Sequence, residues 1–279
     1  MKRLIALCCL IGMCSLTSYA DSLIYGDNAS FGAPYVYQMD KTTGAILNTY
    51  TNLSSANGRG VVVVGDTMYY TTANSNDLFS YNLTTKTNNG ALFSIAGAGA
   101  LSTIAYDGTD FYFGNYSGTN QVYKYSTTGT LLQTLTLANC GGDCDGLEYA
   151  VINGVGRLIS NRGDSVGPYD LYDLNGNLLQ ANFINSPSGT TGIAFDGTNF
   201  YTSNIFSGTL SEWTDTGAFI QTITLTGAPA GFPPLIEDLS FDYSQVLPPP
   251  PGVPEPSSLV LLGTGVVGLA ASLRRRFAR

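Results

Sequence analysis

Four acids carry the most usable chemistry in this chain: Asp145 and Glu148 in one segment, Glu237 and Asp238 in another. Two carboxyls about 5–10 Å apart are enough to cleave a glycosidic bond, one as acid and the other as base or nucleophile. The same groups can hold a cation. The plainer reading is that they are solvated strand ends, so no catalytic residue is assigned and Glu148, Glu237, Asp145 and Asp238 stand only as candidates. Rival chemistries fall away quickly. The 279 residues include no histidine, which excludes Ser-His-Asp and Cys-His catalysis and His-ligated metals. No phosphate loop or nucleophile elbow occurs.

Other residues have simpler explanations. Cys140 and Cys144 are the only cysteines beyond the first 20 residues, and in an exported protein they read as a disulfide. Asp66, Asp107 and Asp196 precede or follow glycines and read as turn residues that cap their own backbone. Asp107 and Asp110 offer too few carboxylates for a dedicated Ca²⁺ loop, so no metal or cofactor is expected, with Ca²⁺ the one ion kept open. Tyr116, Phe206 and Trp213 are candidate sugar-stacking aromatics. Trp213 precedes Gly217 by the spacing that separates Tyr125 from Gly129 and Tyr172 from Gly176, which reads as packing.

The acids must be positioned by a repeat. Residues 104–112 match 193–201 almost one for one, and 128–137 match 216–225. An intermediate copy carries Asn153-Gly154 and Asn175-Gly176, a weaker one Gly65-Asp66, and the first keeps Thr43-Gly44. A period near 44 with four strand signals per unit marks a β-propeller blade. In one unit the strands read as 101–106, 111–115, 121–125 and 130–137, with Leu131, Leu135 and Leu137 sharing a face. Asp-Gly, Asn-Gly and Thr-Gly pairs make the turns. About 226 residues at about 44 each give five blades, six or seven being the runner-up. Residues 237–242 match only a first strand, and the N-terminal copy lacks one. The two ends together therefore complete a blade and close the ring. First strands line a propeller's centre, so the four acids should converge there.

The termini read as addresses. Met1-Lys2-Arg3, an apolar run from Leu4 to Leu16, and Ser18-Tyr19-Ala20 form a secretory signal cleaved between Ala20 and Asp21. Four prolines, Pro248 to Pro251, make a stiff spacer within 247–252. Then come Val253-Pro254-Glu255-Pro256, an apolar run from Leu259 to Leu273, and Arg274-Arg275-Arg276. That run is a short membrane-spanning segment, and the arginines hold its end in the cytoplasm. This order over residues 253–279 resembles the PEP-CTERM sorting signal of Gram-negative bacteria. The resemblance implies an exosortase-type processing enzyme as partner, transient residence in the inner membrane, cleavage near the motif, and release at the cell surface or outside the cell. The central part, 21–246, resembles exported propellers with YVTN- or NHL-like repeats, a class that holds binding scaffolds and some lyases.

Between the signals lie six basic and nineteen acidic residues, a net charge of −13. Such a surface argues against nucleic acid. The expectation is an exported, non-enzymatic propeller at the cell surface or in the extracellular matrix. It would serve as a binding or structural module, with exopolysaccharide as the foreseen partner. The alternative is a carboxylate-dependent glycosidase or polysaccharide lyase.

Overall fold

Short runs rich in Val, Ile, Tyr, Phe and Thr, broken by turns with glycine or asparagine, build twenty strands. The computed structural model describes residues 22–28, 36–54, 58–73, 75–116, 118–140, 143–163 and 167–246. The N-terminal signal and the sorting tail lie outside the described residues. In chain order the strands are β1 (Leu23–Asn28), β2 (Val36–Asp40), β3 (Ile46–Tyr50), β4 (Gly58–Val64), β5 (Thr67–Thr72), β6 (Ser75–Asn82) and β7 (Thr87–Ser94). They continue with β8 (Leu101–Tyr106), β9 (Asp110–Asn115), β10 (Gln121–Ser126), β11 (Leu131–Thr136), β12 (Leu147–Ile152), β13 (Val155–Asn161) and β14 (Tyr169–Tyr172). The last are β15 (Leu178–Ile184), β16 (Thr190–Phe195), β17 (Asn199–Asn204), β18 (Thr209–Thr214), β19 (Phe219–Thr224) and β20 (Ile236–Ser240), followed by the single-turn helix α1 (Tyr243–Val246).

These strands form five four-stranded antiparallel sheets, the blades of a β-propeller. Blade 1 has the order β20-β1-β2-β3, and β4–β7, β8–β11, β12–β15 and β16–β19 make blades 2 to 5. The ring closes as the sequence predicts: Tyr25 pairs with Ser240 and Gly26 with Leu239, so the last strand completes the first blade. The innermost strands β4, β8, β12, β16 and β20 begin at one face, here the entry face. The turns after each first and third strand lie at the opposite, exit face, where α1 also sits. Asp242 next to α1 accepts from the backbone N–H of Gly65, in the first turn of blade 2, at 2.8 Å.

Hydrophobic clusters lie between blades. Ile24, Tyr37 and Met39 of blade 1 pack with Tyr201, Leu210 and Ile223 of blade 5, and Ala105, Tyr112 and Val122 of blade 3 with Leu147, Leu158 and Tyr172 of blade 4. Inner strands are covered on both faces, which is why β8 and β16 are buried almost throughout. Outer strands are largely exposed. Leu131 therefore does not share the burial of Leu135 and Leu137: residues 131–134 are exposed on both faces of the outer strand, and the ladder shifts between Lys124 and Tyr125. The ladder shifts likewise beside Trp213, and Phe219 is exposed.

Inner strands of adjacent blades meet closely. A Cβ on Gly192 of β16 would lie 2.6 Å from Asp238 Cα of β20. One on Gly146, just before β12, would run into the Thr191 carbonyl of β16. Glycine at these places lets the inner strands approach to backbone contact.

Candidate functional site

Three of the four expected acids gather at the entry end of the axis. Asp238 is fully buried and holds three blades together. Its Oδ2 accepts from Thr103 Oγ1 of β8 at 3.0 Å and from the Val61 N–H of β4 at 3.3 Å. Thr103 Oγ1 in turn accepts from the Leu147 N–H of β12 at 3.1 Å. Beside Asp238, Glu237 Oε1 accepts from Arg59 Nη1 at 2.7 Å. Burial alone would lower the Arg59 pKa, but the charges of Glu237 and Asp145 raise it, which places Asp145 in the same group. Asp145, Glu148, Glu237 and Asp238 are all buried, so they are not solvated strand ends.

Two members could not be foreseen. Asp27, on the second strand of blade 1, accepts the Asp238 N–H through Oδ1 at 2.9 Å. Among the described residues, neither Asp27 Oδ2 nor Asp238 Oδ1 has a hydrogen-bond partner. Arg59 is the second residue of β4, and its side chain, 24 % exposed, lies over the Tyr116 ring at 5.4 Å. Neither residue belongs to a repeated motif, so no periodicity points to it. Tyr169 completes the wall, its hydroxyl donating to the carbonyls of Thr191 at 2.7 Å and Gly192 at 2.9 Å.

The electrostatics follow from exclusion of water. Burial pushes Asp27 up to about 7 against the pull of the Asp238 N–H and Arg59. Burial also raises Asp238, helped by the charge of Asp27. Glu237 rises by burial while Arg59 draws it down. The group meets solvent mainly through Arg59.

Glu148 is separate. It lies on β12, and its Oε2 accepts from the Tyr243 hydroxyl of α1 at 2.8 Å. Burial holds its pKa well above the carboxylate range. The four acids thus make one group of three and one lone residue. Among the described residues, no three Asp, Glu or Cys side chains are arranged to hold a metal ion. At Asp107 and Asp110 a cation is supplied by the chain: Lys124 Nζ lies 2.9 and 3.1 Å from their carboxylates.

Two of the three turn aspartates cap as expected, while Asp66 accepts from the Thr84 hydroxyl instead. Asp107 Oδ1 accepts from the N–H groups of Thr109 and Asp110, and Asp196 Oδ1 from those of Thr198 and Asn199. Lys41 reaches across from blade 1 to Asp196 of blade 5 at 2.6 Å. Cys140 and Cys144 form a disulfide with Cα atoms 5.2 Å apart. Of the three aromatics, Phe206 is exposed and Tyr116 half-buried. Trp213 is buried, its Nε1 donating to Thr202 Oγ1 at 2.9 Å. It is a packing residue and cannot stack on a sugar.

Comparisons with known proteins bear on the tail and on the fold. A family model described as the PEP-CTERM protein-sorting motif matches residues 252–276. No curated protein matches the chain. Among solved structures, a protein of unknown function from Bacteroides caccae is 11 % identical, with a TM-score of 0.50 over 78 % of this chain and 97 % of that one. The glutaminyl cyclase of Myxococcus xanthus is 16 % identical, with a TM-score of 0.48 over 60 % of this chain and 70 % of that one. The PEP-CTERM motif is read by an exosortase and marks export and sorting to the cell surface. The chain is therefore a five-bladed β-propeller followed by a PEP-CTERM sorting motif.

Proposed function

We propose that the propeller, freed of its signal between Ala20 and Asp21 and carried outward by residues 253–279, is a non-catalytic binding module for exopolysaccharide at the cell surface or in the extracellular matrix. The supporting observation is the employment of the candidate acids. Asp238 accepts hydrogen bonds from blades 2 and 3, Glu148 from Tyr243 and Glu237 from Arg59. Groups spent on holding strands together are poorly placed to meet a glycosidic oxygen, since a general acid must come within hydrogen-bond reach of it. The formal net charge of −13 over residues 21–246 fits a soluble display protein.

The experiment passes residues 21–246 over immobilised exopolysaccharides, with and without Ca²⁺, and records retention and released sugar together. Retention without product is expected. A Ca²⁺ requirement would return the buried carboxylates to the ligand site. The second reading, a glycosidase or lyase, draws on Glu237, whose burial raises its pKa as a general acid requires. Released oligosaccharide that disappears in Glu237→Ala or Glu148→Ala would establish it.

A further inference from the structure

Four of the five seams between blades are closed in the same way at the exit face. The turn before each outer strand carries a glycine at positive φ: Gly44, Gly129, Gly176 and Gly217. Each glycine rests on the outer strand of the preceding blade, at Thr224, Phe93, Thr136 and Phe183 respectively. Blade 2 departs from the pattern. Its turn Thr84-Thr85-Lys86 stands where blade 1 has Thr42-Thr43-Gly44, and Lys86 takes up the positive φ, 55° against 72°. A side chain at that place cannot settle against a neighbouring backbone as glycine does. The seam between blades 1 and 2 is bridged where Asn88 Nδ2 donates to the Asn52 carbonyl at 3.0 Å. Tyr50 packs on Tyr81 and Ser54 bonds Tyr70 and Asn88 elsewhere along the seam, and a crevice of about 480 Å³ remains at its exit end.

That size falls within the range of about 300–1,000 Å³ typical of small-ligand sites. The lining, however, is polar where most such sites are apolar. Blade 1 contributes a relay: Gln38 Nε2 donates to Tyr25 Oη at 2.8 Å, and Gln38 Oε1 accepts from Asn48 Nδ2. Blade 2 contributes Asp66, whose Oδ1 accepts from Thr84 Oγ1 at 2.8 Å, and α1 supplies Gln245. Asn48, Asp66, Thr84 and Gln245 are exposed, so their remaining donors and acceptors face solvent. Amides that give and take hydrogen bonds, beside a carboxylate that only accepts, match a ligand dense in hydroxyl groups. The charged residues in the lining are acidic, Asp66 and Asp242, which disfavours uronate or sulfate groups.

We infer that this crevice between blades 1 and 2 is the glycan subsite and that it takes a neutral, hydroxyl-rich sugar chain in preference to an acidic one. The inference rests on the binding-module reading above. All five blades and the closing strand β20 lie within residues 22–246, so the test uses the chain from 21 to 246. Affinity electrophoresis is run through gels containing dextran, a neutral glucan, or alginate, a uronic acid polymer. The parent is compared with Asn48→Ala/Asp66→Ala and with Gln245→Trp, which narrows the opening. Thermal unfolding confirms that each variant is folded. Retardation by dextran and not by alginate is expected, at least about tenfold weaker in both variants, the effect of losing about two hydrogen bonds. Dextran retardation unchanged in both folded variants would overturn the crevice while leaving the binding module standing. Preference for alginate would overturn the neutral-sugar assignment. No retardation in either gel, and none on the other exopolysaccharides, would overturn both readings.

Discussion

Asp27→Asn isolates one strongly perturbed carboxyl of the axial group. In the folded chain Asp27 titrates at about 7 rather than 3.8, because burial opposes its charge. The folded state therefore keeps a proton that the unfolded chain releases as the pH passes 3.8. Its contribution to stability is fully present below about pH 4 and is lost as the pH rises towards 7. About three pKa units correspond to about 4 kcal/mol between those limits. Asparagine retains an Oδ1 to accept the Asp238 N–H, which Asp27 accepts at 2.9 Å, and cannot ionise. Its amide N–H takes the place of Oδ2, which has no partner among the described residues; that adds a penalty of about 1–3 kcal/mol at every pH. Urea unfolding of parent and variant at half-unit steps from pH 4 to 8 separates the two effects. Trp213, the only tryptophan, is buried and serves as the probe. The variant should gain on the parent by roughly 2–4 kcal/mol across this range; acids remote from the axial group cancel in the difference, while loss of the Asp27 charge also eases ionisation of Glu237 and Asp238 and adds to the gain. A parent–variant difference that stays constant with pH would refute the reasoning.

Other expectations are simpler. Gly146→Ala should destabilise by about 2 kcal/mol or more, because its Cβ meets the Thr191 carbonyl and β12 must move from β16; Gly65→Ala, with nothing within 4 Å of its Cβ, should cost only the about 1–2 kcal/mol of a left-handed non-glycine residue. Denaturant midpoints compare the two. Reducing the Cys140–Cys144 bridge, which spans a sequence separation of 4, should lower unfolding free energy by about 2 kcal/mol in the chain-entropy picture. Equilibrium unfolding with and without a phosphine reductant measures it.

The fold was legible because its turns repeat. Asn153-Gly154 is a two-residue hairpin with both residues at positive φ, 51° and 76°, and only a few residue types take that conformation readily. Ring closure could be read because residues 237–242 copy a first strand and nothing after it. The central site was half legible. Glu237 and Asp238 stand out on a strand whose counterparts carry threonine or alanine, but Asp27 and Arg59 join them from strands without a repeated acid or base. Burial was misjudged for a physical reason. Inner strands of adjacent blades meet through Gly146 and Gly192 at backbone distance, and the acids beside them are buried. Leu131 shows the limit of period-two patterning, since the outer strand is exposed on both faces at that end. The open seam turns on Lys86 at a glycine place, and a single departure in a degenerate repeat carries no evident signal until the other four turns are seen to touch their neighbours.

The central claim is that the axial carboxylates bind blades together and do no chemistry. It is tested most directly by measuring stability and released reducing ends on the same preparations of parent, Asp238→Ala and Glu237→Gln. Asp238→Ala removes the acceptor for Thr103 Oγ1 and the Val61 N–H, so a loss of about 2–4 kcal/mol is expected, with no reducing ends released by the parent from any glycan it retains. Reducing ends released by the parent and abolished in Glu237→Gln, with stability unchanged in both variants, would contradict it.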